Sequence, residues 1–251
     1  MNPRVAEQTV EQLRAYLERG NPGAGMPAFA DLPAADLVAL ARYLRRINVE
    51  TILPPPPAAD PGRRLDWGPP QPGDWRTYNG NDSGNRYSPL TQITTANVAS
   101  LQLKWVFPMG YFGLEVTPLF ADGVMYATGP NRVVALDALT GAALWDYSRP
   151  PSPGLVGDSR LGTNRGVALL GNKIYFVTDN AHLLALDRAT GRLLWETVMP
   201  PPAPAGEQHF YGGTVAPLIV HDTVVAGVAG ADAGIRGFVA AFNAETGALV
   251  W

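Results

Sequence analysis

The sequence predicts an all-β body made of β-propeller blades, preceded by a small α-helical piece. Three observations carry that prediction. The first is an internal repeat: ALDALTGAALW at 135–145, ALDRATGRLLW at 185–195 and AFNAETGALVW at 241–251, spaced by 50 and 56 residues. The second is the run of strand-like segments ahead of the copies, such as GVMYATGPNRVVALD and NKIYFVTDNAHLLALD. Four short strands in a period of roughly 50 residues is the unit of a propeller blade. The third is turn chemistry: 27 Gly and 24 Pro among 251 residues suit a body of many short strands. A plain β-sandwich with accidental repetition is the competing reading, and three copies of one eleven-residue motif argue against it.

Residues 1–50 read as helical. Thr9-Val-Glu-Gln12 has the form of a capping box, and Val10, Leu13 and Leu17 then share one helical face up to a stop at Gly20. A second helix is predicted from Pro33, a residue suited to a first helical position, with Leu37, Leu40, Ala41 and Leu44 on one face. A turn-rich connection carrying GMPAF lies between them. Residues 51–74, with Pro54–Pro57 and PGRRLDWGPPQPGD, read as an extended Pro-rich linker. From Trp75 to Trp251 the pattern is β. Asp122-Gly123 and Gly171-Asn172 mark hairpin turns, and each Thr-Gly supplies a tight turn before a short strand ending in Trp.

A closed ring needs about four blades or more. About three are expected here, so the sequence reads as the first, truncated part of a propeller. Net charge is −3, which gives no basic excess for nucleic acid. No window reaches the ~18 consecutive apolar residues of a transmembrane helix, and the polar start MNPRVAEQTVEQL shows no signal peptide. Cysteine is absent, which excludes disulfides and thiolate ligands in this chain.

The motif ALDAxTGxxxW resembles the tryptophan-docking repeat of quinoprotein propellers. Those include the eight-bladed pyrroloquinoline quinone (PQQ) dehydrogenases and non-catalytic propellers such as the scaffold of outer-membrane assembly. Segments between the repeats favour the dehydrogenases. WRTYNGNDSGNRYSPLTQITTANVASLQLKW (75–105) is similar to their entry segment, LEVTPLFADGVMY (114–126) to their first-blade strand pair, and TNRGVAL (163–169) to their N-R-G-V-A. TVAPL (214–218) resembles their T-G-A-P, and GADAGIRGFVAAFNAETG (230–247) their G-A-E-x-G-x-R-G segment.

That resemblance implies site residues. Glu115 stands where the family's acid meets a PQQ carboxylate, Arg165 where an arginine hydrogen-bonds the quinone oxygens, and Thr214 where a threonine holds a PQQ carboxylate. Gly230 and Ala231 stand where the backbone approaches the cofactor, and Asp232 where a carboxylate binds calcium. The structural alternatives are a solvated Glu115, an Arg165 paired with a structural carboxylate, a Thr214 serving a local backbone group, and an Asp232 that only shapes a turn. Two departures stand out. GDSRLGTN, around Ser159 and Arg160, replaces the adjacent cysteines of many alcohol-oxidising members, which points to a branch without that disulfide. Asp232 replaces the usual Glu and is one methylene shorter, which puts calcium binding in question. No catalytic residue is assigned, since the family's catalytic Asp belongs to later blades.

GNPGAGMPAF with the following helix resembles the C-terminal part of a class I cytochrome c, and Met26 stands at the sixth haem ligand. The C-x-x-C-H attachment motif is missing, so the reading is of a remnant (1–50) truncated at its N-terminus as well. His182, His209 and His221 lie in the propeller part and are not assigned to haem. The expectation is a fragment, inactive alone, of a periplasmic PQQ-dependent dehydrogenase. Its parent oxidises an alcohol, polyol or sugar with PQQ, calcium and haem c, and passes electrons to a downstream acceptor. The alternative is a non-catalytic propeller that binds other proteins.

Overall fold

The computed structural model describes residues 8–22, 26–49, 68–81, 83–111, 114–155, 157–202, 210–231 and 234–251. The chain divides into two compact units, Met1–Pro55 and Pro56–Trp251.

The first unit is a helix pair. Helix α1 (Val10–Arg19) starts at the expected capping box: Thr9 Oγ1 accepts the Gln12 N–H at 3.2 Å, and the Thr9 N–H donates to Gln12 Oε1 at 2.7 Å. Gly20 ends it with a positive φ of 68°. Helix α2 (Ala34–Val49) begins directly after Pro33, whose carbonyl accepts the Leu37 N–H. The apolar stripes meet as the 3.6-residue period requires, burying Leu13, Leu17, Leu37 and Ala41. Val10, Met26, Phe29, Leu40 and Leu44 pack around them. Of the Pro-rich stretch, residues 51–67 lie outside the described residues.

The second unit consists of antiparallel sheets in sequence order. The first contains β1 (Leu119–Ala121), β2 (Val124–Gly129), β3 (Arg132–Asp137) and β4 (Ala143–Ser148). A short helix, α3 (Gly157–Leu161), leads to the second, with β5 (Ala168–Leu170), β6 (Lys173–Val177), β7 (His182–Asp187) and β8 (Leu193–Val198). The third holds β9 (Leu218–Val220), β10 (Thr223–Gly227) and β11 (Val239–Asn243). Its fourth position is taken only by a Phe242–Leu249 bridge and by hydrogen bonds between Ala241 and residues 250–251. The strands that follow the Thr-Gly turns do not stop at tryptophan, as expected, but run three residues past it to Ser148 and Val198.

The two complete sheets share one register. Tyr126 pairs with Ala135 and Ala135 with Trp145; Tyr175 pairs with Ala185 and Ala185 with Trp195. Each carries a bulge at the same step, Ala135/Leu136 and Ala185/Leu186. The middle sheet is covered on both faces. Ile174, Phe176, Leu184 and Leu186 face the first sheet, while Tyr175, Val177, Leu183 and Ala185 face the third. Because strand side chains alternate, two buried faces demand the near-continuous apolar runs of β6 and β7.

Each Thr-Gly turn is a docking seat. Asp137, Asp187 and Asn243 each accept the backbone N–H groups two and three residues on, plus the Thr hydroxyl. The glycines that follow have φ near +72° (Gly141 72°, Gly191 71°, Gly247 72°). A tryptophan ring covers each one. A Cβ on Gly141 would lie 2.5 Å from Trp105, on Gly191 2.6 Å from Trp145, and on Gly247 2.6 Å from Trp195. The Trp145 indole N–H donates to Arg188 O and that of Trp105 to Ala138 O, both at 3.0 Å. Trp105 thus sits before the first sheet as Trp145 sits before the second. With Phe107 and Met109 it covers Val134 and Leu136 on the first sheet's other face.

Candidate functional site

β5 touches β9, and Leu119 of β1 shares one core with Leu169 of β5. The segments that enter these strands therefore gather at one place. Glu115, Asn164 and Thr214 each stand four residues ahead of their strand's first residue, Leu119, Ala168 and Leu218. Arg165 follows Asn164 and lies between its neighbours. Its N–H donates to Thr214 O at 3.1 Å, and its carbonyl accepts the Thr117 N–H at 3.3 Å. Its guanidinium meets Glu115 Oε2 at 2.9 Å and Thr214 O at 3.3 Å.

Three of the expected site residues are thus brought together: Glu115, Arg165 and Thr214. The pair is open to solvent, with the Arg165 and Glu115 side chains 40% and 50% exposed, while Thr214 is buried. A surface ion pair of this kind adds little stability. What it provides is a planar fork of N–H donors, held beside a carboxylate and a buried threonine. Such a fork suits a flat, oxygen-rich anion.

Gly230 and Ala231 lie on an adjoining turn. Ala229 forms a bridge with Gly212, two residues before Thr214, with N–H to O distances of 2.9 and 2.7 Å. Gly230 has φ +127° and abuts Phe210 O, and Ala231 is exposed. Asp232 and His209 lie outside the described residues. Among the described residues, no group of three or more His, Cys, Asp or Glu side chains is placed to hold a metal ion. Ser159, in the region of the absent cysteine pair, is buried on α3 against Gly212, where a glycine Cβ would overlap its hydroxyl. Met26 is half-buried against the helix-pair core, and its backbone pairs with Asn21. Residues 1–55 contain neither cysteine nor histidine. These residues can therefore offer haem iron a thioether but neither a covalent attachment nor an imidazole.

Sequence reasoning passed over Asn164, which is 5% exposed and makes three side-chain hydrogen bonds. It also passed over the buried Arg188, whose Nη1 meets Asp122 Oδ2 at 2.7 Å. Aligning the repeats by strand register, rather than by motif, brings both out.

Of the remaining histidines, His221 has a positive φ of 53° in the β9–β10 turn and is exposed. His182 Nδ1 lies 2.5 Å from Glu196 Oε1, which also accepts from Arg149 Nη1 at 2.9 Å. Burial alone would raise the Glu196 carboxyl. The hydrogen bonds from Arg149 and His182, with their charges, outweigh it and hold the group below the usual carboxylate range. A depressed folded-state value contributes stability above the unfolded carboxyl value of ~4.3, and that contribution is lost as pH falls through the folded one. Glu196→Gln is therefore expected to flatten the loss of stability as pH falls below about 5 in denaturation series. Parallel slopes in both proteins would remove this role.

Comparison with known proteins agrees with the fold. Residues 75–251 match the PQQ family model described as glucose/ethanol/alcohol dehydrogenase, beta-propeller domain. The chain is 44% identical over 185 residues to the alcohol dehydrogenase (quinone) dehydrogenase subunit of Gluconacetobacter polyoxogenes, covering 72% of this chain and 25% of that protein. It is 36% identical over 226 residues to quinohemoprotein alcohol dehydrogenase ADH-IIG of Pseudomonas putida, covering 88% and 31%. Among solved structures, the ADHIIG enzyme of Pseudomonas putida HK5 superposes with a TM-score of 0.64 at 37% identity, covering 72% of this chain and 26% of that one. The quinohemoprotein alcohol dehydrogenase of Comamonas testosteroni gives 0.61 at 34%, covering 71% and 26%. The chain spans about a quarter to a third of the length of these relatives. Docked tryptophans, repeated register and sequence agree, and the chain belongs to the PQQ-dependent alcohol dehydrogenase family through its β-propeller domain.

Proposed function

We propose that residues 75–251 provide cofactor-holding blades of a PQQ-dependent dehydrogenase that oxidises the CH–OH group of an alcohol, polyol or sugar. The observation that carries this reading is the convergence of Glu115, Arg165 and Thr214 at the mouths of three successive sheets. Arg165 would hold the quinone oxygens with its fork, and Thr214 a carboxylate, while Glu115 keeps the guanidinium turned to that side. Gly230 and Ala231 would let backbone approach the ring system. When bound, PQQ supplies the carbonyl that accepts hydride from the substrate carbon. Asp232 is the candidate calcium ligand, a hard oxygen donor next to this turn in sequence.

The helix pair is read as part of a cytochrome c, with Met26 toward haem iron and electrons leaving through that haem to a downstream acceptor. Two observations support this reading. Met26 and Phe29 pack against the paired helices, and the alignment with a protein named quinohemoprotein covers 88% of the chain, more than 75–251 alone supplies. The domain reading is 1–50 cytochrome-like, 51–74 linker and 75–251 propeller. A periplasmic location follows the same family reading. No helix among the described residues is long and apolar enough to cross a membrane.

The test is PQQ titration and dye-linked oxidation of short alcohols and glucose, with added calcium, in the protein that carries this chain. Arg165→Ala is expected to weaken PQQ binding roughly tenfold or more, and Arg165→Lys to restore only part of it, since an ammonium lacks the planar fork. Unchanged affinity in Arg165→Ala would overturn the reading and favour a protein-binding scaffold.

A further inference from the structure

We propose that Asn164 is a positioning residue, which fixes the backbone on both sides of Arg165 so that its guanidinium faces the cofactor side. The inference rests on the function proposed above and extends it to a residue that touches no cofactor.

Strand register puts Asn164 in the place that Glu115 and Thr214 occupy in the neighbouring sheets. Its side chain nevertheless turns into the joint between sheets. Asn164 Oδ1 accepts the Gly166 N–H at 3.0 Å and the Thr128 hydroxyl at 2.6 Å, and Nδ2 donates to Val177 O at 3.0 Å. Thr128 belongs to β2 of the first sheet and is fully buried; Val177 ends β6 of the second. One amide therefore ties two sheets to the residue just beyond Arg165. Arg165 itself is tied to Thr117 and Thr214 through its backbone. Gly166, with φ +130°, turns the chain back into β5.

The energetic logic is that of preorganisation. An arginine side chain loses rotamer freedom on binding, and that cost falls when the stem starts from one fixed place. The Asn164 amide is the group that fixes it. An aspartate could not donate to Val177 O, and an alanine would leave three buried polar groups without this partner.

The test is a double-mutant cycle read by PQQ affinity, from quenching of tryptophan fluorescence, in the protein that carries this chain. Asn164→Ala is expected to weaken PQQ binding about tenfold, by analogy with the loss when partners that orient metal-binding side chains are removed. In an Arg165→Ala background it should add less than twofold. Thr128→Val, close in shape, provides a second arm if Asn164→Ala fails to fold. It should weaken binding severalfold where Thr128→Ser does not, again only with Arg165 present. Equal effects with and without Arg165 would overturn positioning and leave a structural role. Full affinity in Arg165→Ala alone would overturn both this inference and the proposed function, whereas a loss there with none in Asn164→Ala or Thr128→Val would overturn this inference alone.

Discussion

Trp145→Ala is expected to destabilise the propeller unit by about 3–5 kcal/mol, the cost of truncating a large buried aromatic. Trp145 is 4% exposed and belongs to the core shared by the first two sheets. Its ring lies 6.1 Å, centroid to centroid, from Tyr126, covers Gly191, and donates to Arg188 O across the joint. Alanine removes all three contacts and leaves the Arg188 carbonyl without this donor. The reciprocal change, Gly191→Ala, probes the same seat from the other side. Its φ of +71° strains any L side chain, and the new Cβ would stand 2.6 Å from the ring. Both variants should lower the urea midpoint without a large change in m. Wild-type stability in either would show that sheet packing does not depend on the docked indole.

Those same residues explain what was legible in advance. The three Thr-Gly-x-x-x-Trp copies encode a local turn and a long-range seat together, so the repeat disclosed strands, hairpins and inter-sheet packing from a single sequence. The capping box at Thr9 and the stop at Gly20 were equally local, and both are present. The extent of the strands past Trp145 and Trp195 was not legible. DYS and ETV lack apolar alternation, and their pairing with β3 and β7 is set by partners some 14 residues away. In the candidate site, Glu115, Arg165 and Thr214 could be marked only by resemblance, since nothing local distinguishes a pocket arginine from a solvated one. Their proximity became visible when the sheets stacked. Asn164 was hidden for a related reason: its three partners lie on three separate segments.

The second large effect is expected at the outer end of the same joint. Arg188 is fully buried, and its guanidinium meets Asp122 at 2.7 Å. Asp122 also lies 3.7 Å from Arg76, which pairs with Asp74 at 2.8 Å. Removing one member of a largely buried pair takes an opposite charge away from the other, at a cost of up to about 3–5 kcal/mol. Asp122→Gly isolates that electrostatic loss, because Asp122 has φ +54° and glycine accepts this conformation freely. Arg188→Ala should cost a similar amount. The double variant should cost less than the sum by at least ~1 kcal/mol, since partners in direct contact are coupled. The next joint shows why the loss is tolerable when both go. In register, Gly171 replaces Asp122 and Ala244 replaces Arg188, and a half-open hollow of about 320 Å³, lined in part by these two and by Lys173 and Glu245, lies there. A Lys173–Glu245 pair spans it, with the glutamate side chain 77% exposed. An exposed pair of that kind contributes about 0–1 kcal/mol, so the joint between the second and third sheets holds mainly by its apolar contacts. Urea denaturation of the two single variants and the double decides the matter. Additivity within ~0.5 kcal/mol would show that Arg188 and Asp122 act separately, and a deficit would show that the first joint is locked by a pair the second has dispensed with.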